Sequence, residues 1–225
     1  MIYKNECPLA LKTQVHVKFL NGDAMQKDAV KKYASQWELT GLFHFKFIFD
    51  DHPESEIQVF FNDKKVAQSC LGGCKCTLEG FSGTLTLSFN KDTPEANFRC
   101  DILHEFGHAL GLVHEHQHPD CPVQWDIEAV YAHYAKLDWD RKKIDSNVIK
   151  KIEIPIDLYG LYTIYEYDKN SIMHYQVEDK LTIGDFSAPY NTELSRLDKL
   201  HWASYVQDIR EDRRCRGITC GVLDN

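Results

Sequence analysis

The chain has 225 residues, 43% hydrophobic and 27% charged, which excludes a disordered chain or a fibre and suits one domain of ordinary size. Lys and Arg number 26 against 34 Asp and Glu, a net charge of −8 that disfavours nucleic-acid binding through phosphates, and no apolar run is long enough for a membrane span. Eight Cys and eleven His leave open disulfide staples, a metal site, or both.

Val15, Val17 and Phe19 alternate with polar residues, predicting a half-buried strand. Asn21-Gly22-Asp23 follows as a turn, with Asp23 placed to cap a helix. Met25, Ala29, Tyr33 and Trp37 recur every four residues and predict a helix from Ala24 to Glu38, with Gly41 suited to its end. Phe43, Phe45, Phe47 and Phe49 alternate with His44 and Lys46 in a second strand; a third is expected from Ile57 to Phe61 and a fourth from Thr84 to Phe89. Strand, helix, strand implies a parallel pair with a right-handed crossover. Thr93-Pro94 starts a helix whose apolar residues repeat through Val113. Two more helices are expected, from Trp125 to Leu137 and from Leu194 to Ile209, separated by a Tyr- and Ile-rich stretch without clear period. The layout is α+β: a single domain with a sheet-bearing N-terminal subdomain, about 1–114, and a looser C-terminal one, about 115–225. Lys4 and Glu6 interrupt any apolar leader, so no signal peptide is expected within this chain.

Residues 104–115 read HEFGHALGLVHE. Four residues of helix turn about 400°, so His104 and His108 leave one face and can grip one ion. The apolar group Ile102, Phe106, Ala109, Leu110 and Val113 centres on the opposite side. Gly111 can take a left-handed conformation that ends the helix and brings His114 round as third ligand. Three neutral nitrogens leave a fourth position for water, the arrangement of one catalytic zinc ion. Glu105, beside the first ligand, would act as general base toward zinc-activated water attacking a peptide carbonyl. His116 and His118 read as a solvated loop rim, with extra ligands as the alternative, and His174 as a structural hydrogen-bonder.

With Ser-Ile-Met-His-Tyr at 171–175, this stretch resembles the metzincin signature H-E-x-x-H-x-x-G-x-x-H and its Met-turn. Glu115 after the third His and the spelling of the Met-turn are most similar to the astacin family of zinc endopeptidases, in a minimal microbial form; the likeness spans roughly Val15 to Ile209. The resemblance implies a zincin-like fold: a twisted, mostly parallel sheet with an antiparallel edge strand, two main helices, and an irregular C-terminal subdomain with a helix. It implies His104, His108 and His114 as zinc ligands, Glu105 as general base, and Met173 as the floor beneath the metal. Tyr175 would be a fifth ligand that swings to the oxyanion, and Glu115 would tie down a neighbouring segment or the N-terminus. It implies a protein or peptide substrate extended along an edge strand, here expected at Thr84 to Phe89, and a secreted, monomeric enzyme whose signal and any pro-segment lie outside this chain. A zinc-retaining but inactive binding module or toxin is the alternative.

The cysteines do not follow the pattern of animal astacins. Cys215 and Cys220 are spaced for a local disulfide, while Cys74 and Cys76 are too close to bond comfortably and are expected to find separate partners. A structural zinc on Cys70, Cys74, Cys76 and Cys100 is an alternative, and Cys7 would either enter a disulfide or cap the zinc as a thiolate. The specificity pocket is expected near residues 176–183, where Lys180 would favour an acidic side chain or face solvent.

Overall fold

The computed structural model describes residues 2–3, 9–41, 44–63, 67–73, 76–78, 81–152, 162–163 and 165–215. Its strands are β1 (Ile2–Tyr3), β2 (Gln14–Phe19), β3 (Lys46–Phe49), β4 (Ile57–Phe61), β5 (Gln68–Ser69), β6 (Cys76–Leu78), β7 (Phe81–Gly83), β8 (Leu85–Leu87) and β9 (Tyr162–Thr163). Its α-helices are α1 (Ala24–Ala34), α2 (Glu95–Ala109), α3 (Ile127–Tyr134), α4 (Arg141–Ile144) and α5 (Arg196–Cys215). The class is α+β.

The central sheet has the order β3-β2-β4-β8-β5. Val17 sits opposite Phe49 on one side and Ile57 on the other, both parallel, and Val59 opposite Leu85 continues the parallel run. Only β5 is antiparallel, with Ser69 opposite Leu85. The expected edge at Thr84 to Phe89 is therefore corrected: β8 is an inner strand, and the edge is the two-residue β5. All three residues of β8 are buried, and the alternation of Leu85, Thr86 and Leu87 marks a strand without fixing which neighbours pair with its two edges.

A capping box opens α1: Gln26 N donates to Asp23 Oδ1 (2.8 Å) and Asp23 N donates to Gln26 Oε1 (3.0 Å). Gln26 Nε2 also donates to Phe89 O (2.7 Å), tying α1 to the chain leaving β8. The helix passes through a 3-10 turn at Ser35–Trp37, short of Gly41. Val15, Val17, Val30, Ile57, Val59, Leu85, Leu87, Ile102 and Phe106 are fully buried and join sheet, α1 and α2 in one core. Trp37 Nε1 donates to Leu103 O inside α2 (3.0 Å), and Trp202 Nε1 of α5 donates to Trp37 O (3.1 Å). The two indoles satisfy their only donors in the interior and lock the last helix to α2.

The C-terminal part is organised around α3, capped by Asp126 accepting from Ala129 N (3.1 Å). An element not expected from sequence follows: α4 runs into a π-helical turn at Asp145–Ile149. Cys70 is disulfide-bonded, which removes it from any four-cysteine metal site. Cys100 and Cys121 carry free thiols, a correction to reading all eight cysteines as staples. The side chains of Cys7, Cys74, Cys76, Cys215 and Cys220, on which the remaining cysteine expectations fall, and the start of the strand at Phe43 lie outside the described residues.

Candidate metal centre

Packing against the core leaves one side of α2 open, and His104, Glu105 and His108 lie on that side. Gly111, at φ +102°, ends the helix in a Schellman arrangement: Gly111 N donates to His108 O and Leu112 N to Gly107 O, both at 2.9 Å. The reversal returns His114 to the open face. The ligand atoms of His104, His108 and His114 all lie within 4.8 Å of one another, and His108 Nε2 is 3.1 Å from His114 Nε2. His104 Nδ1 donates to Ile172 O (2.9 Å) and His108 Nδ1 to Leu112 O (2.7 Å). A carbonyl only accepts, so these bonds place the proton on Nδ1 and leave the Nε2 lone pair toward the cluster. Gln117 spends its amide hydrogens on Ser146 O and Lys150 O, both 2.8 Å, so its Oε1 is free to accept from the His114 ring, with which its side chain is hydrogen-bonded. Burial and, second, mutual repulsion push His108 down to about 3 and hold His114 well below the usual range. Three neutral nitrogen donors fixed through their far ring atoms form a donor set suited to zinc.

Glu105 is only 6% exposed, and its Oε2 has no hydrogen-bond partner. Burial pushes its carboxyl up to about 8, with Asp101 adding to the shift and Ser69 of β5 opposing it. Met173 is buried against α2. A Cβ on Gly107 would lie 2.5 Å from Met173 Sδ and 3.3 Å from Trp37 Cζ2. Gly107 is thus the contact between α2 and the Met-turn, and sequence reasoning missed it. Its signal was available: a glycine inside a helix costs about 1 kcal/mol against alanine and needs a packing reason.

The Tyr175 ring packs against both His114 (centroids 4.4 Å) and His116 (4.5 Å, stacked), whose own rings are 5.3 Å apart. Burial, then the Glu105 carboxylate, raises its phenol pKa, so the group stays a proton donor. His116 and His118 overturn the solvated-rim expectation, being 1% and 0% exposed. His116 Nε2 donates to Asn147 O (2.9 Å) and His118 Nε2 to Tyr165 O (2.8 Å); those acceptors lie 31 and 47 residues away, beyond any local pattern. His174 bonds Tyr167 Oη (2.9 Å) and Tyr175 O (2.6 Å).

Glu115 N donates to Met173 O (2.9 Å), and its Oε1 accepts from Asp168 N (3.0 Å). Behind the Met-turn, Asp198 of α5 accepts from Ser171 Oγ (2.6 Å), Ile172 N (2.8 Å) and Ser195 N (2.9 Å). Ile172 then accepts from His104, so a carboxylate on the last helix steadies a ring in the cluster. Lys180 is 60% exposed and paired with Glu178 at 2.7 Å.

A mostly parallel sheet with one antiparallel edge, backed by a helix bearing a three-histidine cluster over a buried methionine turn, defines the metzincin class. The sequence profile of the Astacin peptidase family matches residues 12–185, and the chain belongs to that family. It is similar to zinc metalloproteinase nas-30 of Caenorhabditis elegans, 24% identical over 202 residues, covering 87% of this chain and 24% of that protein. It is also similar to nas-38 of the same organism, 27% identical over 137 residues, covering 60% and 16%. The chain therefore spans about a quarter or less of those relatives' length. Myroilysin superposes with a TM-score of 0.75 at 31% identity, covering 86% of this chain and 92% of that one. The hatching enzyme HCE-1 of Oryzias latipes shares the fold, with a TM-score of 0.56 at 16% identity over 92% and 94% of the two chains.

Proposed function

We propose that this chain is the catalytic domain of a secreted zinc endopeptidase, with its cleft between the parts about 1–114 and 115–225. The observation that carries the proposal is the convergence of three neutral histidine nitrogens within 4.8 Å beside the unpartnered Oε2 of Glu105. His104, His108 and His114 would hold zinc, which supplies Lewis-acid polarisation of a water and of the scissile carbonyl. Glu105 takes the proton from the attacking water and delivers it to the leaving amine. The Tyr175 hydroxyl, kept protonated, donates to the oxygen on which negative charge develops. Met173 closes the floor, and the substrate lies extended against β5, where main-chain groups at the sheet edge can pair with it.

The test is Glu105→Ala, assayed for zinc content and for cleavage of a quenched fluorescent peptide library. Retained zinc with turnover lowered about a thousandfold is expected. Unchanged turnover would remove Glu105 from the chemistry, and full zinc occupancy without cleavage by the unaltered protein would favour the inactive binding module.

A further inference from the structure

Around α2, taking His104 as zero, His108 lies at about 40° and Glu105 at about 100°. Asp101 lies at about 60°, midway on the same open side and about 6 Å along the axis from Glu105. It is half-buried, and its carboxylate has no hydrogen bond or ion pair among the described residues. Arg99 does not supply a partner: it faces away and pairs with Glu193 (3.1 Å) and Thr192 (3.1 Å). Burial pushes the Asp101 carboxyl up to about 6, and no cation among the described residues offsets it. Tyr190 flanks it, hydrogen-bonded to Cys100 and close enough to feel the Asp101 charge, with 46% of its surface exposed. An unpaired carboxylate beside an exposed aromatic ring, one helical turn from Glu105, suits an ammonium or guanidinium group.

We infer that Asp101 and Tyr190 form a subsite for a lysine or arginine side chain of the substrate next to the scissile bond, making Asp101 a specificity-determining residue. The inference rests on the peptidase reading. Lys180, paired with Glu178, offers no matching pull toward acidic side chains.

The test compares matched peptides carrying Arg, Gln or Glu at each position flanking the cleaved bond. The protein with its zinc is expected to favour Arg over Gln by about ten- to a hundredfold in kcat/KM. Asp101→Asn collapses the ratio, and Asp101→Lys turns preference toward Glu. Urea unfolding of both variants shows whether they fold. Binding of the same peptides to Glu105→Ala, with and without the Asp101 changes, gives a calorimetric readout independent of turnover. Cleavage without basic preference, or a preference unmoved by charge reversal, overturns the subsite and leaves the peptidase reading intact. If no peptide is cut, that reading fails, and the charge dependence of binding alone decides the subsite.

Discussion

Tyr175 forms a triangle of touching rings with His114 and His116, and burial in that cluster confines its ring before any substrate binds. Tyr175→Phe keeps the stack and removes one donor. The expected outcome is kcat lowered about a hundredfold with KM changed only a few-fold, measured on a single fluorogenic peptide. Gly107 is the tightest point beneath the cluster. Gly107→Ala places a methyl where Met173 Sδ already sits, so about 1–3 kcal/mol of stability is expected to be lost in urea titrations. Zinc affinity should fall in the same variant as the Met-turn is pushed off α2. The three histidines and Glu105 were legible because their spacing lies within one helix and the turn after it. His116 was not, because its burial depends on Asn147 O, supplied by a π-helical turn that carries no periodic signal.

Among the elements, α5 reaches the site through Asp198. Asp198→Ala would strand Ile172 N, Ser195 N and Ser171 Oγ together, and a loss of about 3 kcal/mol is expected. Burial raises the Asp198 carboxyl to about 6, against an ordinary 3.8. The folded state thus holds this proton more tightly than the unfolded state. Its contribution to stability is complete below about 4 and is lost as pH rises through 6. Asp198→Asn should remove that component, and the difference between variant and parent in urea midpoints at about pH 4.5 and 7 measures it. Strand β5 escaped sequence reading because two residues give no alternation to count. The edge assignment at Thr84 to Phe89 came from the family resemblance instead, and the alternation TLTLSF says that a strand is there without saying which strands flank it. The strands β2 and β4 and helix α1 were legible, because each carries a full period of two or of about 3.6 residues and α1 also its cap.

For the molecule as a whole, an ion bound only by the folded state adds to stability by mass action. With zinc at about a thousand times its dissociation constant, chelation is expected to lower unfolding free energy by about 4 kcal/mol, read as a fall in urea midpoint restored by added zinc. A midpoint indifferent to chelator would mean that the histidine cluster holds no metal in the folded protein. The indole of Trp202 on Trp37, and of Trp37 on Leu103, gives the proposed peptidase a further property. A peptidase of the proposed kind meets its own chains as substrates at high concentration, and α5 exposes residues such as Leu200 and Gln207. A nick within α5 would unseat Trp202, loosen the backbone one residue before His104, and silence the enzyme without touching a ligand. Self-digestion would thus end in inactive fragments rather than in a smaller, unregulated peptidase.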